Sequence, residues 1–244
     1  MRSDLFRSLC RRSTLTLLAL GLAGAALPAR AQSEGSRKIG IIGGGNIGGT
    51  LGQFWTKAGY EVLIASRHPE ELKPLIESLG PKARAGTPGE AIAFGEAVLI
   101  AVPYKAYPDI SAQYGPALKG KIVIDAGNAV KSRDGVVFDE VERSGIGAVS
   151  AKYLGGARIV RAFNAANYKI FLKNAGRPAP RMAVPIAGDD AGALDLVQRL
   201  VSDAGFDPVV VGPLETARTF HMGAPGFGHE LSAPELKAKL GLAP

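Results

Sequence analysis

The chain has 244 residues, 46% of them hydrophobic and 21% charged, with a formal net charge of +7. That length holds one α/β domain with a sizeable core plus a short appendage, and excludes a dehydrogenase built from two large domains. Residues 1–31 carry five Arg and one Asp, so four of the seven charges belong to that stretch; the remaining Lys and Arg are scattered without aromatic interleaving, which excludes a nucleic-acid footprint.

In the N-terminal stretch, Arg11-Arg12 precede an uncharged segment from Ser13 to Ala29, and Ala29-Arg30-Ala31 has A-x-A spacing. Residues 1–31 therefore read as a signal peptide cleaved before Gln32. The adjacent arginines resemble a twin-arginine signal, which exports folded proteins, although Thr14-Leu15-Thr16 replaces the bulkier residues that usually follow. The apolar core is short for a membrane span, so membrane contact is expected only through the export signal. A periplasmic or otherwise exported location follows, with a cytoplasmic one as the alternative. Cys10, the only cysteine, falls inside this leader; a cleaved chain has no disulfide, thiol nucleophile or cysteine-bound metal.

After a polar linker over 32–36, Arg37–Leu51 reads RKIGIIGGGNIGGTL, an order of strand, tight turn and helix. Gly43, Gly45 and Gly48 fall on G-x-G-x-x-G. Gly43 takes the turn, Gly45 lets a pyrophosphate approach the backbone, and Gly48 lets the helix pack on the strand. The N–H groups of Asn46 and Ile47, at the positive end of the helix dipole, face the anion. A second strand, Glu61–Ala65, runs into Ser66-Arg67 about twenty residues on, where an NAD enzyme places a carboxylate that binds the ribose. A hydroxyl and a guanidinium suit a 2′-phosphate instead, so the sequence points to NADP(H).

Strand and helix then alternate. Pro69–Leu79 reads as a helix, 83–86 as a short strand, and Thr87-Pro-Gly-Glu90 as a capping box. Ala97–Val102, Lys121–Asp125 and Arg158–Ala162 are apolar runs suited to strands buried on both faces. They end in Pro103-Tyr104, Ala126-Gly-Asn128 and Phe163-Asn-Ala165, turns expected to converge on one crevice. Met182–Ala187, a helix through Leu194, Val197, Leu200 and Val201, and Pro208–Val211 form a further β-α-β unit. Pro185 points to an edge or a bulge. Asp189-Asp190 reads as a helix N-cap rather than a metal or acid-base site. His221 and His229, eight residues apart with no acidic residue between them, lack metal-ligand spacing, and no metal site is expected. Ser232–Glu235 starts a terminal helix to Leu240. The tail either closes over the crevice or joins a homodimer.

The set IGIIGGGNIGGTLG, IASRHPEEL, AVLIAVPY, IVIDAGN, RIVRAFNAANYKIF and AGDDAGALDLVQRLVSDAGFDPVVVGPL resembles the NADPH-dependent coenzyme F420 oxidoreductases. Their relatives include the reductase domain of the six-transmembrane metalloreductases and pyrroline-carboxylate reductase. The similarity spans about residues 37–215. It implies a Rossmann-type NADP-binding domain with a mainly parallel, doubly wound sheet, followed by a C-terminal extension over 216–244. The runner-up has its last strand antiparallel at the edge.

The resemblance also implies direct hydride transfer between NADP(H) and a stacked deazaflavin (F420), flavin (FMN or FAD) or other small acceptor, with no obligatory side-chain acid or base. By resemblance, Gly45, Asn46 and Ile47 face the pyrophosphate, and Ser66 and Arg67 the 2′-phosphate. Val102-Pro103 lie on the ribose and nicotinamide side, and Asn128 and Asn164 near the acceptor. The alternative function is an NADPH-binding sensor or partner subunit without turnover. The tail from Thr219 differs from the apolar helix of the F420 enzymes, which leaves the acceptor rather than the nucleotide open.

Overall fold

In the computed structural model, which describes residues 37–243, strand directions and short glycine turns set where the loops gather. The leader and linker expected over 1–36 lie outside the described residues. The strands are β1 (Lys38–Ile42), β2 (Glu61–Ala65), β3 (Ala83–Gly86), β4 (Ala97–Ile100), β5 (Ile122–Asp125), β6 (Arg158–Arg161), β7 (Ala183–Gly188) and β8 (Asp207–Gly212). The helices are α1 (Asn46–Lys57), α2 (Lys73–Leu79), α3 (Pro88–Phe94), α4 (Tyr107–Leu118), α5 (Lys131–Asp134), α6 (Val136–Ser144), α7 (Ile146–Tyr153), α8 (Tyr168–Asn174), α9 (Ala191–Asp203) and α10 (Ala233–Leu240). Three short 3-10 segments, Pro69–Leu72, Tyr104–Ala106 and Leu214–Thr219, complete the set.

The strands form one sheet in the order β3-β2-β1-β4-β5-β6-β7-β8. The first six are mutually parallel, as helical crossovers require, so their carboxyl ends share one rim. Period-two alternation divides their apolar side chains between two buried faces. Ile39, Ile41, Val62, Ile64 and Leu99 join one core with Leu51 and Trp55 of α1 and Leu200 of α9. Ile42, Leu63, Val98, Ile100 and Val123 join the other, beneath α3, α4 and α7. Helices on both faces explain why these strands read as unbroken apolar runs. Trp55 is fully buried, and its indole N–H donates to Leu200 O at 2.9 Å, tying α1 to α9 without leaving a buried donor unpaired.

The fold is thus the expected Rossmann-type α/β sheet, with several differences in detail. Pro69–Leu79 is a 3-10 turn leading into α2 rather than one helix. β4 ends at Ile100, leaving Ala101-Val102 in the exit loop. The segment between β5 and β6, for which the sequence suggested no element, holds α5, α6 and α7.

At the far end, β7 runs antiparallel to β6, and β8 is parallel to β7, so the closing β-α-β unit is reversed as a whole. Pro185 therefore lies in a strand flanked on both sides rather than at the edge, next to the register shift between Ile186 and Ala187. Its missing N–H costs the ladder nothing. Ala183 N–H, two residues earlier and so on the same side, points away from β8 to Leu231 O at 2.8 Å. The tail packs back on this unit, with Leu236 of α10 against Ala183 and Val209.

Candidate functional site

The turn after β1 separates three jobs among three glycines. Gly43 has φ +111, and a Cβ there would lie 2.4 Å from Ala101 O. At Gly48 a Cβ would come within 1.9 Å of Gly43 O and 3.1 Å of Ile41 Cγ2, so α1 can sit on the strand only with no side chain there. Gly45 differs: its φ of −74 suits any residue, and a Cβ would meet no protein atom within 4 Å. The fold therefore needs Gly43 and Gly48, while Gly45 keeps open space beside the first turn of α1. No side chain caps that turn, so the N–H groups of Asn46 and Ile47 have no intrahelical acceptor. An open cradle backed by free donors and a positive helix end fits a dinucleotide pyrophosphate.

Two cavities extend along the same rim and share Val102 and Pro103. The first, 450 Å³, is bordered by Gly43, Ser66 and Arg67 on one side and by Lys105, Gln113 and Tyr114 on the other, with Asp109 nearby. Ser66 Oγ accepts from His68 N–H at 3.1 Å, fixing the loop that presents the exposed Arg67. Arg67 enters no ion pair among the described residues. Lys105 is a second cation on this cleft that sequence reasoning missed; its signal was a basic residue just past the end of β4.

The second cavity, 510 Å³, collects Asn46, Ile47, Val102, Pro103, Asn128 and Asn164. The structure thus divides the predicted site residues between two adjoining chambers, with Val102-Pro103 as the shared wall and Gly45 and Gly48 in the turn behind. Asn128 Nδ2 donates to Asn164 O at 2.7 Å, and Asn164 Nδ2 donates to Phe220 O at 3.3 Å. Phe163, in the left-handed region at φ 60, is fully buried and packs edge-on against Trp55 and Phe171. That packing holds a conformation non-glycine residues avoid, at the turn that presents Asn164. Arg133 also lines this chamber. Its Nε and Nη2 donate to the two carboxylate oxygens of Asp134 at 2.9 and 2.8 Å, and Nη2 donates to Asn128 O at 2.7 Å. Burial works to raise the Asp134 carboxyl, but bonds from Arg133 and from the N–H groups of Val130 and Lys105 hold it below its ordinary range.

Beneath the chamber lies a polar network that sequence reasoning also missed. Asp125 and Arg161 stand side by side at the ends of β5 and β6, both fully buried, with Nη1 donating to Oδ2 at 2.6 Å. Asp125 also accepts from Tyr107 at 2.5 Å, Ser150 at 2.5 Å and Gly127 N–H at 2.9 Å, while Arg161 Nη2 donates to Gly127 O at 2.6 Å. Burial and the neighbouring Asp125 push the Tyr107 phenol well above its ordinary pKa, so it stays a donor. Burial works against the Arg161 charge, yet Asp125, Tyr104 and Tyr107 outweigh it and strengthen the cation. Both groups grip Gly127, so the network fixes the loop that carries Asn128. The available signal was Asp and Arg closing two consecutive apolar strands.

Residues 38–129 match the family model described as "NADP oxidoreductase coenzyme F420-dependent". The F420-dependent NADP reductase of Methanothermobacter marburgensis is 30% identical over 201 residues, covering 74% of this chain and 86% of that protein. The chain belongs to the F420-dependent NADP oxidoreductase family. Metalloreductase STEAP3 of Rattus norvegicus is 28% identical over 185 residues, but the chain spans only 35% of its length. A hypothetical protein of Sinorhizobium meliloti superposes with TM-score 0.69 at 30% identity, covering 79% of this chain and 93% of that one. Like other members of this oxidoreductase family, the chain is an NADP-dependent oxidoreductase. The matched segment carries the glycine turn, Ser66-Arg67 and the Val102-Pro103 wall, whereas Asn164 and the tail lie beyond it.

Proposed function

We propose that this oxidoreductase passes a hydride between NADP(H) and a planar deazaflavin- or flavin-type acceptor in the 510 Å³ chamber. The carrying observation is the chemistry of that chamber: among the described residues no Asp, Glu, His, Lys or Cys lines it, and its ionisable side chains are Arg133, which is tied to Asp134, and the phenol of Tyr168. A carbonyl or imine acceptor needs a proton delivered to its heteroatom as the hydride arrives. A deazaflavin or flavin ring takes the hydride and exchanges its proton with water, so it needs no side-chain acid.

The site residues act by holding and orienting. The Asn46 and Ile47 N–H groups bind the pyrophosphate, Ser66, Arg67 and Lys105 the 2′-phosphate, and Val102-Pro103 set the nicotinamide face toward the chamber. The bound dinucleotide supplies the hydride. Asn128 and Asn164 lie at the acceptor's edge and hold the chamber's shape through bonds to each other and to the backbone of Phe220 and Met222, and the apolar walls exclude water from between the two rings. Steady-state NADPH oxidation against F420, FMN, FAD, a quinone and a ferric chelate tests the reading. Turnover with deazaflavin or flavin well above that with the quinone and chelate is expected; preference for either of the latter overturns it.

The export reading of residues 1–31 rests on sequence, and NADPH is made in the cytoplasm. Folded export with nucleotide already bound reconciles the two. A mature N-terminus at Gln32 on exported protein is expected by mass spectrometry; Met1 on cytoplasmic protein refutes export.

A further inference from the structure

The outer wall of the acceptor chamber is made by a strap, residues 220–228, that lies beyond both the family match over 38–129 and the β-α-β unit. Its sequence, FHMGAPGFG, reads as a loop, but its backbone is closely fixed. Gly226 N–H donates to Thr219 O at 2.9 Å and Phe227 N–H to Ala224 O at 3.0 Å, closing the strap on itself. Three further bonds attach it to the site loops: Met222 N–H to Asn128 Oδ1 at 3.3 Å, Asn164 Nδ2 to Phe220 O at 3.3 Å, and Gly228 N–H to Ala165 O at 2.7 Å. Gly226 has no room for a side chain, since a Cβ would meet Phe220 Cβ and Thr219 O at 2.9 Å. This anchoring sets Met222 and Phe227 in the lining of the chamber that Val102 and Pro103 also border. Met222 remains 43% exposed, one of four large apolar side chains so exposed among the described residues.

We propose that Met222 and Phe227 are the acceptor-specificity residues of this enzyme, clamping a planar heteroaromatic ring against the nicotinamide side of the chamber, with Asn128 and Asn164 positioning the strap. This rests on the hydride-transfer reading above and adds where acceptor choice is made. An aromatic ring and a polarisable thioether suit a flat ring of variable outline, and the exposed side chain of Met222 is apolar surface that such a ring would cover. The nucleotide half of the site makes no use of the strap: neither Met222 nor Phe227 borders the cleft that holds Ser66 and Arg67.

The test titrates riboflavin into full-length chain saturated with NADP+, following flavin fluorescence, for wild type, Met222→Ala, Phe227→Ala and Met222→Trp, with NADPH affinity measured in parallel. Riboflavin binding should weaken roughly ten-fold in each alanine variant and be blocked by the tryptophan, while NADPH affinity stays within about two-fold. A Met222→Leu control should keep riboflavin binding. Wild type that takes no riboflavin, alanine variants that bind it unchanged, or equal losses for riboflavin and NADPH each overturn the assignment. Turnover of the same variants with NADPH in place of NADP+ separates the two claims. Riboflavin binding that shifts as expected without any NADPH oxidation refutes the hydride-transfer reading and leaves the strap as the ring clamp.

Discussion

Replacing Arg161 with Met tests whether the buried network supports the site. Met fills much of the volume of the Arg stem and removes the guanidinium, leaving the Asp125 carboxylate, which is fully buried, without its cation. Breaking one side of such a pair costs about 3–5 kcal/mol. Asp125 would keep its bonds from Tyr107, Ser150 and Gly127 N–H, so the loss belongs near the lower end, about 3 kcal/mol. Urea denaturation reads the global loss. Riboflavin binding should also fall, because Gly127 O loses its 2.6 Å donor and the Asn128 loop, which lines the acceptor chamber, its brace. Adding Asp125→Asn to the Arg161→Met chain removes the stranded charge, keeps an acceptor for Tyr107, and should restore part of the stability. A single-variant loss below about 1 kcal/mol, or a double variant weaker than the single, would refute the reasoning.

Three other outcomes follow from the site. Arg67→Ala should weaken NADPH roughly ten-fold or more by titration while barely changing NADH, and Ser66→Asp should shift preference further toward NADH; equal losses for both nucleotides would make Arg67 a loop residue. Gly45→Ala should leave urea stability nearly unchanged yet weaken NADPH, whereas Gly48→Ala, whose Cβ would sit 1.9 Å from Gly43 O, should cost about 1–3 kcal/mol or more of stability. If Gly45→Ala destabilises as much as Gly48→Ala, the division of roles between the glycines is wrong. Burial, with Arg161 nearby, lowers the His221 pKa, so the unfolded chain binds the proton more readily. Stability should therefore fall as pH drops from about 6.5 toward the lowered folded value, and His221→Gln should flatten that slope in pH-dependent melts.

The glycine turn of the candidate site was legible because backbone requirements write themselves into residue type. Only glycine satisfies Gly43 and Gly48, and the Ser66-Arg67 pair follows its strand at a set distance. Strands buried on two faces announce themselves as apolar runs, which is why β4, β5 and β6 were found to within one or two residues at their ends. Their direction is another matter. Val184, Pro185 and Ile186 read the same whichever way β7 runs, so the reversal of the last unit left no trace in the pattern. The Asp125–Arg161 pair was hidden because burial makes it significant, and sequence shows neither the neighbour nor the depth. Met222 and Phe227 sit among glycines and prolines, which signal a loop but not what the loop covers.

The reversed pair of strands sets a requirement of parity on the end of the chain. Two strands running opposite to β6 leave the backbone at Gly212 heading away from the rim where β6 ends, on the edge strand and level with Ala187 and Arg161, yet the strap must begin beside Asn164, past the end of β6. The 3-10 segment Leu214–Thr219 makes that crossing over the face of the sheet, with Leu214 and Ala217 packed in the same core as Ile146 and Val149. A 3-10 helix advances about 2.0 Å per residue with three residues per turn, so this crossing behaves as a ruler with coarse graduations. One residue deleted from it would shift the strap by about 2 Å and rotate its entry by about 120°, enough to part Met222 N–H from Asn128. Point changes within the strap can retune which ring it accepts, but the length of the crossing is not free to drift.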